Sequence, residues 1–329
     1  MNSDETHPAS VKIPIIDFAR FLTGNSAHRR QVAQEIFQAC HKVGFLYLKN
    51  HGIPSAAIER AFLQSRIFFE LPLIIKQQIA WSNEHSNRGY IGIERECLDE
   101  TQAGDLKEAF NIGQEPSSAA DGFQSVTNRW PAGRPLLRQT INELFEHCSA
   151  AAEQIFQAFA YALSMPADYF VRRHQTHDYT LRLLHYPPIA AIPKPGQLRA
   201  GAHSDYGSLT LLFQDNVGGL EVQNADGDWL PAPTVPNTLL INTGDLMQRW
   251  SNNEFRSTKH RVRLPEVVQT ACIGKDSPGE HRYSIAFFCQ PDAYTNIVCL
   301  PTCHNEQNPP QYPPIKSGDY LLRRLRATY

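Results

Sequence analysis

The chain has 329 residues, of which 42% are apolar and 10% aromatic, enough to build a large buried core. With 31 Lys and Arg against 33 Asp and Glu, the formal net charge is −2, so the basic surface typical of nucleic-acid-binding proteins is not expected. No apolar run reaches the roughly 18 residues that a membrane-spanning helix needs. We therefore expect a globular protein without nucleic-acid or membrane partners.

The N-terminal segment and the cysteines both favour a cytoplasmic location. Residues 1–10 are polar and lack the charged start and apolar stretch of a secretory signal. The seven cysteines are an odd number and include no Cys-x-x-Cys pair, which is typical of reduced thiols and not of a disulfide framework. The thirteen histidines are the one count that points to chemistry, because histidine is the commonest transition-metal ligand.

The first half of the chain has the pattern of a mainly helical region. A β-type run at 13–17 precedes a helix at 27–43, in which apolar residues recur every three to four positions. A buried strand is expected at 45–48, followed by a turn at 51–54 and another helix. The longest amphipathic pattern covers 136–165 and predicts a helix that supports the fold.

The second half changes to short runs rich in Leu, Ile, Val, Phe and Tyr, separated by turn residues such as Gly218-Gly219. Regularly punctuated short strands are typical of an antiparallel sandwich or barrel. The expected strands are 179–186, 208–214, 219–223, 238–242, 260–264 and 283–289, and a helix is expected at 320–326. The sequence thus predicts one α+β domain over 1–329, mainly helical in 1–165 and β-rich in 166–329.

One segment, GAHSDYG (201–207), has the pattern of a metal site at the start of an expected strand. Residues i and i+2 of a strand point to the same face, so His203 and Asp205 can reach one ion together. His260, at the entrance to another expected strand, is the candidate third ligand. Two imidazoles and one carboxylate form the facial triad of non-haem Fe(II), which leaves coordination positions open for oxygen chemistry.

Each of these residues also has an ordinary structural explanation. A single His-x-Asp match is weak in a chain with thirteen histidines, and His304 with Glu306 is a comparable pattern. His260 taken alone fits a half-buried strand residue equally well. Cys299, Cys303 and His304 lack a fourth ligand at suitable spacing, which disfavours a structural zinc site.

A second motif supports the metal hypothesis. Arg282 and Ser284 are again i and i+2 of an expected strand, and they offer a guanidinium fork and a hydroxyl to a carboxylate. Arg282 adjoins an apolar run, so we expect it to be buried with an anionic partner. A further expected strand carries Arg182, His185 and Tyr186, which either line a polar pocket or belong to an ordinary amphipathic strand.

Three of these features, HSD (203–205), His260 and RYS (282–284), resemble the iron and 2-oxoglutarate fingerprint of the isopenicillin-N-synthase-like oxygenases. Four segments of the first half resemble the helical half of the same family: IPIIDF, GFLYLKNHGIP, NRGY (87–90) and KEAFNIG (107–113). The similarity therefore covers nearly the whole chain. Within the family, segments such as HSDYGSLTLLFQD, NTGDLMQRWSN and RYSIAFFC are similar to the thymine dioxygenases (thymine 7-hydroxylases).

The resemblance implies a double-stranded β-helix (jelly-roll) core flanked by helices. The implied Fe(II) ligands are His203, Asp205 and His260. The implied residues for 2-oxoglutarate are Arg282, Ser284 and Tyr186. Leu184 replaces an asparagine of plant relatives, so the inner carboxylate of 2-oxoglutarate needs another donor, for which Asn242 is a candidate. By similarity to thymine dioxygenases, the candidates for the substrate pocket are Arg182, Tyr206 and Phe288.

The implied reaction couples decarboxylation of 2-oxoglutarate, which gives succinate and CO2, to O2-dependent hydroxylation of a C–H bond in a pyrimidine-type substrate such as a thymine- or uracil-like ring. Asp205 favours hydroxylation over halogenation, while desaturation and ring closure stay open. The alternative substrate is a larger natural product, such as a uracil-bearing alkaloid of the cylindrospermopsin type.

Three other functions fit part of the pattern: an oxygenase that uses no 2-oxoglutarate, a non-catalytic jelly-roll ligand sensor, and a zinc hydrolase. The Arg-x-Ser pair has no role in the hydrolase, which therefore ranks last. Segments 95–106 and 114–130 are expected to cover the mouth of the barrel and set substrate size, and His185 is expected to border the pocket.

Overall fold

A computed structural model describes residues 12–99, 101–115, 127–189, 192–265 and 280–329 of the chain. The helices are α1 (Ala19–Leu22), α2 (Ser26–Lys42), α3 (Ser55–Phe69), α4 (Leu73–Gln77), α5 (Pro135–Ala162), α6 (Asp245–Trp250) and α7 (Ser317–Thr328). The strands are β1 (Ile15–Asp17), β2 (Phe45–Lys49), β3 (Gly89–Ile91), β4 (Glu108–Ile112), β5 (Thr180–Tyr186), β6 (Ala200–His203), β7 (Leu209–Gln214), β8 (Leu220–Gln223), β9 (Trp229–Pro231), β10 (Thr238–Thr243), β11 (His260–Val262), β12 (Arg282–Cys289), β13 (Asn296–Ile297) and β14 (Ile315–Lys316).

Two β-sheets form the centre of the described structure. The major sheet has eight strands in the order β1-β2-β10-β7-β12-β5-β4-β3, antiparallel except for the parallel β1–β2 pair. The minor sheet has the order β6-β11-β8-β9 and is antiparallel throughout. Strands β13 and β14 form a separate pair. The predicted α+β class, with a jelly-roll core flanked by helices, is confirmed.

The major sheet is buried on both faces. In β5, Leu181 and Leu183 belong to the core beneath the helices, while Leu184 and Tyr186 belong to the core between the two sheets. Successive strand residues point to opposite faces, so two-sided burial requires apolar residues at nearly every position. A polar residue on the inner face of this sheet is therefore an exception, and such exceptions mark the site described below.

Helices α2, α3 and α5 pack together over the outer face of the major sheet. The amide N–H groups of Ala27 and His28, at the start of α2, donate to the side chain of Asn25 at 3.0 and 3.1 Å, which caps the helix. Helix α5 ends earlier than expected because Ser164 takes a left-handed backbone conformation, with φ of 56°. Among the helices of the described residues, none combines the length and apolarity needed to cross a membrane.

The first half of the chain contributes more β-structure than its sequence predicts. Strands β1 and β2 lie at one edge of the major sheet, and β3 and β4 lie at the other, where β4 pairs with β5. Strands β3, β4, β6 and β9 are missing from the expected strands, because runs of three to five residues show too little periodicity. The expected strands of the second half agree with the structure to within two residues at each end.

Two leucines of α5 test how far the fold depends on its buried helix face. Leu144 is 0% exposed and Leu136 is 58% exposed. We expect Leu144→Ala to lower the free energy of unfolding by about 2–5 kcal/mol, because the lost methyl groups leave a cavity. Leu136→Ala should change it by less than about 0.5 kcal/mol. Urea denaturation followed by circular dichroism measures both values, and equal losses would contradict this packing.

Candidate active site

Three potential metal ligands meet between the two sheets. His203 ends β6, Asp205 follows in the connection to β7, and His260 begins β11 opposite His203 in the strand register. One ligand atom from each lies within 4.8 Å of the other two, and the described residues contain no other such group of three. The expectation that His203 and Asp205 share a strand face is wrong, because β6 stops at His203. Antiparallel pairing of β6 with β11 places His203 beside His260, and the connection from β6 to β7 places Asp205 near both.

Hydrogen bonds orient both imidazoles toward Asp205. Nδ1 of His203 lies 2.8 Å from the carbonyl oxygen of Gly201, and Nδ1 of His260 lies 3.2 Å from that of Thr258. A carbonyl oxygen only accepts, so each Nδ1 carries a proton, and Nε2 is the nitrogen that offers a lone pair when the imidazole is neutral. The two Nε2 atoms lie 3.9 and 3.7 Å from Oδ1 of Asp205. Burial, together with neighbouring His260, lowers the pKa of His203, so its imidazole is the neutral form that binds metals.

The other carboxylate oxygen of Asp205 is held by two donors. Oγ1 of Thr210 and Nδ2 of Asn242 both donate to Oδ2 at 2.6 Å. Burial raises the pKa of Asp205, but the nearby histidines and these hydrogen bonds outweigh it and hold the pKa below its usual range. The group is therefore an oriented anion, as a divalent cation requires. Asn242 thus donates to a candidate metal ligand, and its expected contact with the inner carboxylate of 2-oxoglutarate stays a prediction.

Arg282 lies on the inner face of β12 and is 1% exposed. Its Nε donates to the carbonyl oxygen of Gly218 at 2.6 Å, its Nη2 donates to Oε1 of Gln214 at 2.9 Å, and its guanidinium carbon lies 4.6 Å from the ring centroid of Tyr186. No carboxylate of the described residues pairs with it, so the expected anionic partner is not found there. Nη1 has no hydrogen-bond partner among them. A buried donor of this kind suits a carboxylate that accepts from it.

One cavity, with a volume of about 110 Å³, joins the candidate metal ligands to Arg282. All nine residues that the sequence assigns to the site line it: Arg182, Tyr186, His203, Asp205, Tyr206, His260, Arg282, Ser284 and Phe288. Arg282, Ser284 and Phe288 face it together because they alternate along β12, as the i, i+2 spacing predicts. On β12, the predicted strand and the face that it presents to the cavity therefore agree with the structure.

His185 lies on the opposite face of β5, so the expectation that it borders the pocket is wrong. Its Nδ1 is 2.8 Å from Oε1 of Glu108, and its ring stacks on Tyr283 with centroids 4.6 Å apart. Arg182 and Tyr186 are four residues apart along β5 and therefore point to the same face of the sheet. His185 is an odd number of residues from each of them and points to the opposite face.

The end of the cavity beside Arg182 contains charged residues that sequence reasoning missed. Nη1 of Arg182 donates to Oε1 of Glu96 at 2.8 Å, and Nζ of Lys107 lies 3.0 Å from Oε2. Burial raises the pKa of Glu96, but Arg182 and Lys107 outweigh it and hold the pKa well below its usual range. The three groups are therefore charged, and Asp105, whose pKa is raised by burial, also contacts Lys107.

Segments distant in sequence close the cavity. Glu96 and Leu98 of the expected lid 95–106 line it, whereas 116–126, most of the expected lid 114–130, lie outside the described residues. Helix α7 was predicted, but its role was not: Leu321, Leu325 and Thr328 line the cavity. Tyr329 is the residue after α7. Its hydroxyl group accepts a hydrogen bond from Nη2 of Arg182 at 2.6 Å and donates one to Oε1 of Glu96 at 3.0 Å. The local pattern of the C-terminal sequence does not predict these contacts, because they are made with residues far away in the chain.

Two family profiles match the chain. Residues 13–133 match the profile described as non-haem dioxygenase in morphine synthesis N-terminal, and residues 177–291 match that of the 2OG-Fe(II) oxygenase superfamily. The second range includes the candidate metal ligands and Arg282.

Curated relatives and a solved structure are similar over nearly the full chain. A 2-oxoglutarate-Fe(II) type oxidoreductase of Metarhizium rileyi is 30% identical over 97% of this chain and 92% of its own. Validamycin A dioxygenase of Streptomyces hygroscopicus is 32% identical over 88% and 79%. The structure of Neurospora crassa thymine 7-hydroxylase with α-ketoglutarate (2-oxoglutarate) and thymine is 36% identical, with a TM-score of 0.86 over 100% of this chain and 99% of that one.

The hydrogen bond from Thr210 to Asp205 can be removed with little change in shape. We expect Thr210→Val to weaken Fe(II) binding by about 10- to 100-fold, because Asp205 loses one of the two donors that orient it. Thr23→Val is the matched control, since Thr23 is exposed and bonds only to the carbonyl oxygen of Ala19. Anaerobic Fe(II) titration measures both affinities. Equal affinities in the two variants would show that this orientation does not matter.

Proposed function

Because the chain belongs to the 2-oxoglutarate- and Fe(II)-dependent oxygenase superfamily, we propose that it hydroxylates a C–H bond of a small pyrimidine-type ring such as thymine or uracil. The protein is a 2-oxoglutarate-dependent dioxygenase, and the predicted cofactors Fe(II) and 2-oxoglutarate are confirmed by this membership. The observation that carries the substrate proposal is the cavity, which places a buried guanidinium and aromatic rings beside the candidate metal ligands.

In the proposed site, His203, Asp205 and His260 hold Fe(II). Their donor set fits: the ring nitrogens of two imidazoles and one carboxylate oxygen converge within 4.8 Å. When bound, Fe(II) and 2-oxoglutarate supply the activation of O2, with release of succinate and CO2. The protein itself contributes the orientation of the ligands through Thr210 and Asn242, and burial that limits water.

We assign the distal carboxylate of 2-oxoglutarate to Arg282 and Ser284. Nη1 of Arg282 is buried and free to donate, and Ser284 is 1% exposed on the same strand face. Tyr186 packs against the guanidinium and restricts its position. A carboxylate placed here would accept charge-assisted hydrogen bonds in a nearly dry environment, where such bonds are strong.

The substrate pocket is assigned to Arg182, Tyr206 and Phe288. The guanidinium carbon of Arg182 lies 5.7 Å from the ring centroid of Phe288, so a donor group and an aromatic face adjoin. A flat ring with carbonyl oxygens matches this combination, because its face stacks on aromatics while its edge accepts hydrogen bonds. The structurally similar Neurospora enzyme was solved with thymine bound, which supports a pyrimidine-type substrate.

The size of the cavity favours a small ring over a larger natural product. The cavity measures about 110 Å³, and 2-oxoglutarate, which is assigned to its Arg282 end, takes part of that space, which leaves little room for a large substrate. The similarity to validamycin A dioxygenase favours the alternative, a hydroxylase or desaturase that tailors a larger natural product. The third possibility is a ligand sensor without turnover, which the complete set of three candidate ligands disfavours.

Succinate formation distinguishes these functions. Purified protein with Fe(II), ascorbate and 2-oxoglutarate is assayed with thymine, uracil, nucleosides and uracil-bearing natural products. We expect thymine to stimulate succinate release and to gain one oxygen by mass spectrometry, and His203→Ala to abolish both while the protein remains folded. Stimulation only by large natural products would replace the pyrimidine proposal with the alternative. If none of the compounds leads to succinate formation, the result would support the ligand sensor.

A further inference from the structure

The amide of Asn111 has its orientation imposed by Arg182. Asn111 is 0% exposed and lies opposite Arg182 in the pairing of β4 with β5. Nε of Arg182 donates to its Oδ1 at 2.8 Å. A guanidinium only donates, so Asn111 must present its oxygen to Arg182 and its nitrogen to the other side. That nitrogen donates to Oδ1 of Asn87 at 2.9 Å.

A second donor fixes Asn87 in the same orientation. Nε1 of Trp81 donates to Oδ1 of Asn87 at 3.2 Å, and an indole N–H also can only donate. Two donor-only groups, Arg182 acting through Asn111 and Trp81 acting directly, therefore require the oxygen of Asn87 to face them. Since an amide oxygen and nitrogen are otherwise hard to tell apart, this agreement between independent donors settles which atom is which.

Nδ2 of Asn87 is consequently the atom left for a ligand. It forms no hydrogen bond with any residue that the structure describes, and Asn87 lines the cavity beside Arg182. We propose that Asn87 is a specificity-determining residue, whose Nδ2 donates to the C4 carbonyl oxygen of the ring that Arg182 also contacts. This inference rests on the pyrimidine function proposed above and extends it to a residue from the NRGY segment.

A fixed donor discriminates between rings that differ in one exocyclic group. Thymine presents a carbonyl oxygen where 5-methylcytosine presents an amine. The carbonyl accepts from Nδ2, whereas the amine would set donor against donor and leave both without a partner. Sites built to hydrogen-bond one group reject an analogue that lacks it much more strongly than apolar pockets reject a size difference.

The backbone at Asn87 allows this donor to be inverted with little disturbance. Its φ is 46°, in the left-handed region that asparagine, aspartate and glycine tolerate. In Asn87→Asp, one oxygen still accepts from Trp81 and Asn111, while the second oxygen replaces Nδ2 with an acceptor. Asn87→Gly keeps the backbone conformation and removes the side chain.

The test compares kcat/KM for thymine and 5-methylcytosine in the parent protein and these variants. We expect Asn87→Asp to raise the KM for thymine by about tenfold or more and to shift the thymine-to-5-methylcytosine preference toward 5-methylcytosine by at least about tenfold. Asn87→Gly should raise the KM for thymine without inverting the preference. Asn83→Asp is the matched control, because Asn83 is an exposed residue of the same loop and should leave the preference unchanged.

The outcomes separate this inference from the proposed function. A parent protein that turns over thymine, with the same preference in Asn87→Asp, would show that Asn87 does not contact the ring. A parent protein that thymine does not stimulate would overturn the proposed function, and this inference with it. If Asn87→Asp fails to fold, an unchanged thymine KM in Asn87→Gly overturns the inference and a raised one supports it. The Kd of 2-oxoglutarate, measured without substrate, checks that each variant retains the rest of the site.

Discussion

A guanidinium group donates hydrogen bonds and never accepts them, and two such groups, Arg182 and Arg282, are buried on the inner face of the major sheet. Every acceptor around them is constrained by this one-way chemistry. Arg182 requires the carboxylate of Glu96, the oxygen of Asn111 and the phenol of Tyr329. Arg282 retains one nitrogen without a partner among the described residues. These two side chains therefore determine which atoms their neighbours present to them.

The two arginines divide the cavity into chemically different ends, with the candidate metal ligands between the two sheets. At one end, the free donor of Arg282 suits a carboxylate, which agrees with the 2-oxoglutarate requirement of the family. At the other, the positive charge of Arg182 is neutralised by Glu96, so a neutral ring with carbonyl oxygens suits it better than an anion. In the proposed function, this division would direct 2-oxoglutarate to the Arg282 end and the ring to the Arg182 end.

The sequence predicted best those residues whose position depends on strand periodicity. Arg282 and Ser284 share a face because they are two residues apart, and the same rule, applied strictly, would have excluded His185. Glu96 and Asn87 could not be found, because they lie in irregular segments where spacing does not determine direction. The hydrogen bond from Asn242 to Asp205 was not predicted, because Asp205 lies between β6 and β7, where strand periodicity does not determine direction. Long-range closure by α7 also leaves no local signal.

We propose that Nη1 of Arg282, which has no partner among the described residues, binds the distal carboxylate of 2-oxoglutarate. Anaerobic titration of 2-oxoglutarate into the Fe(II)-loaded protein tests it directly, with Arg282→Lys as the variant, because lysine keeps the charge and loses the planar fork. We expect the Kd of 2-oxoglutarate to rise by roughly 10- to 100-fold in Arg282→Lys, because hydrogen bonds to a buried charged group are lost. An unchanged Kd in a folded Arg282→Lys protein would place 2-oxoglutarate elsewhere and contradict its assignment to Arg282.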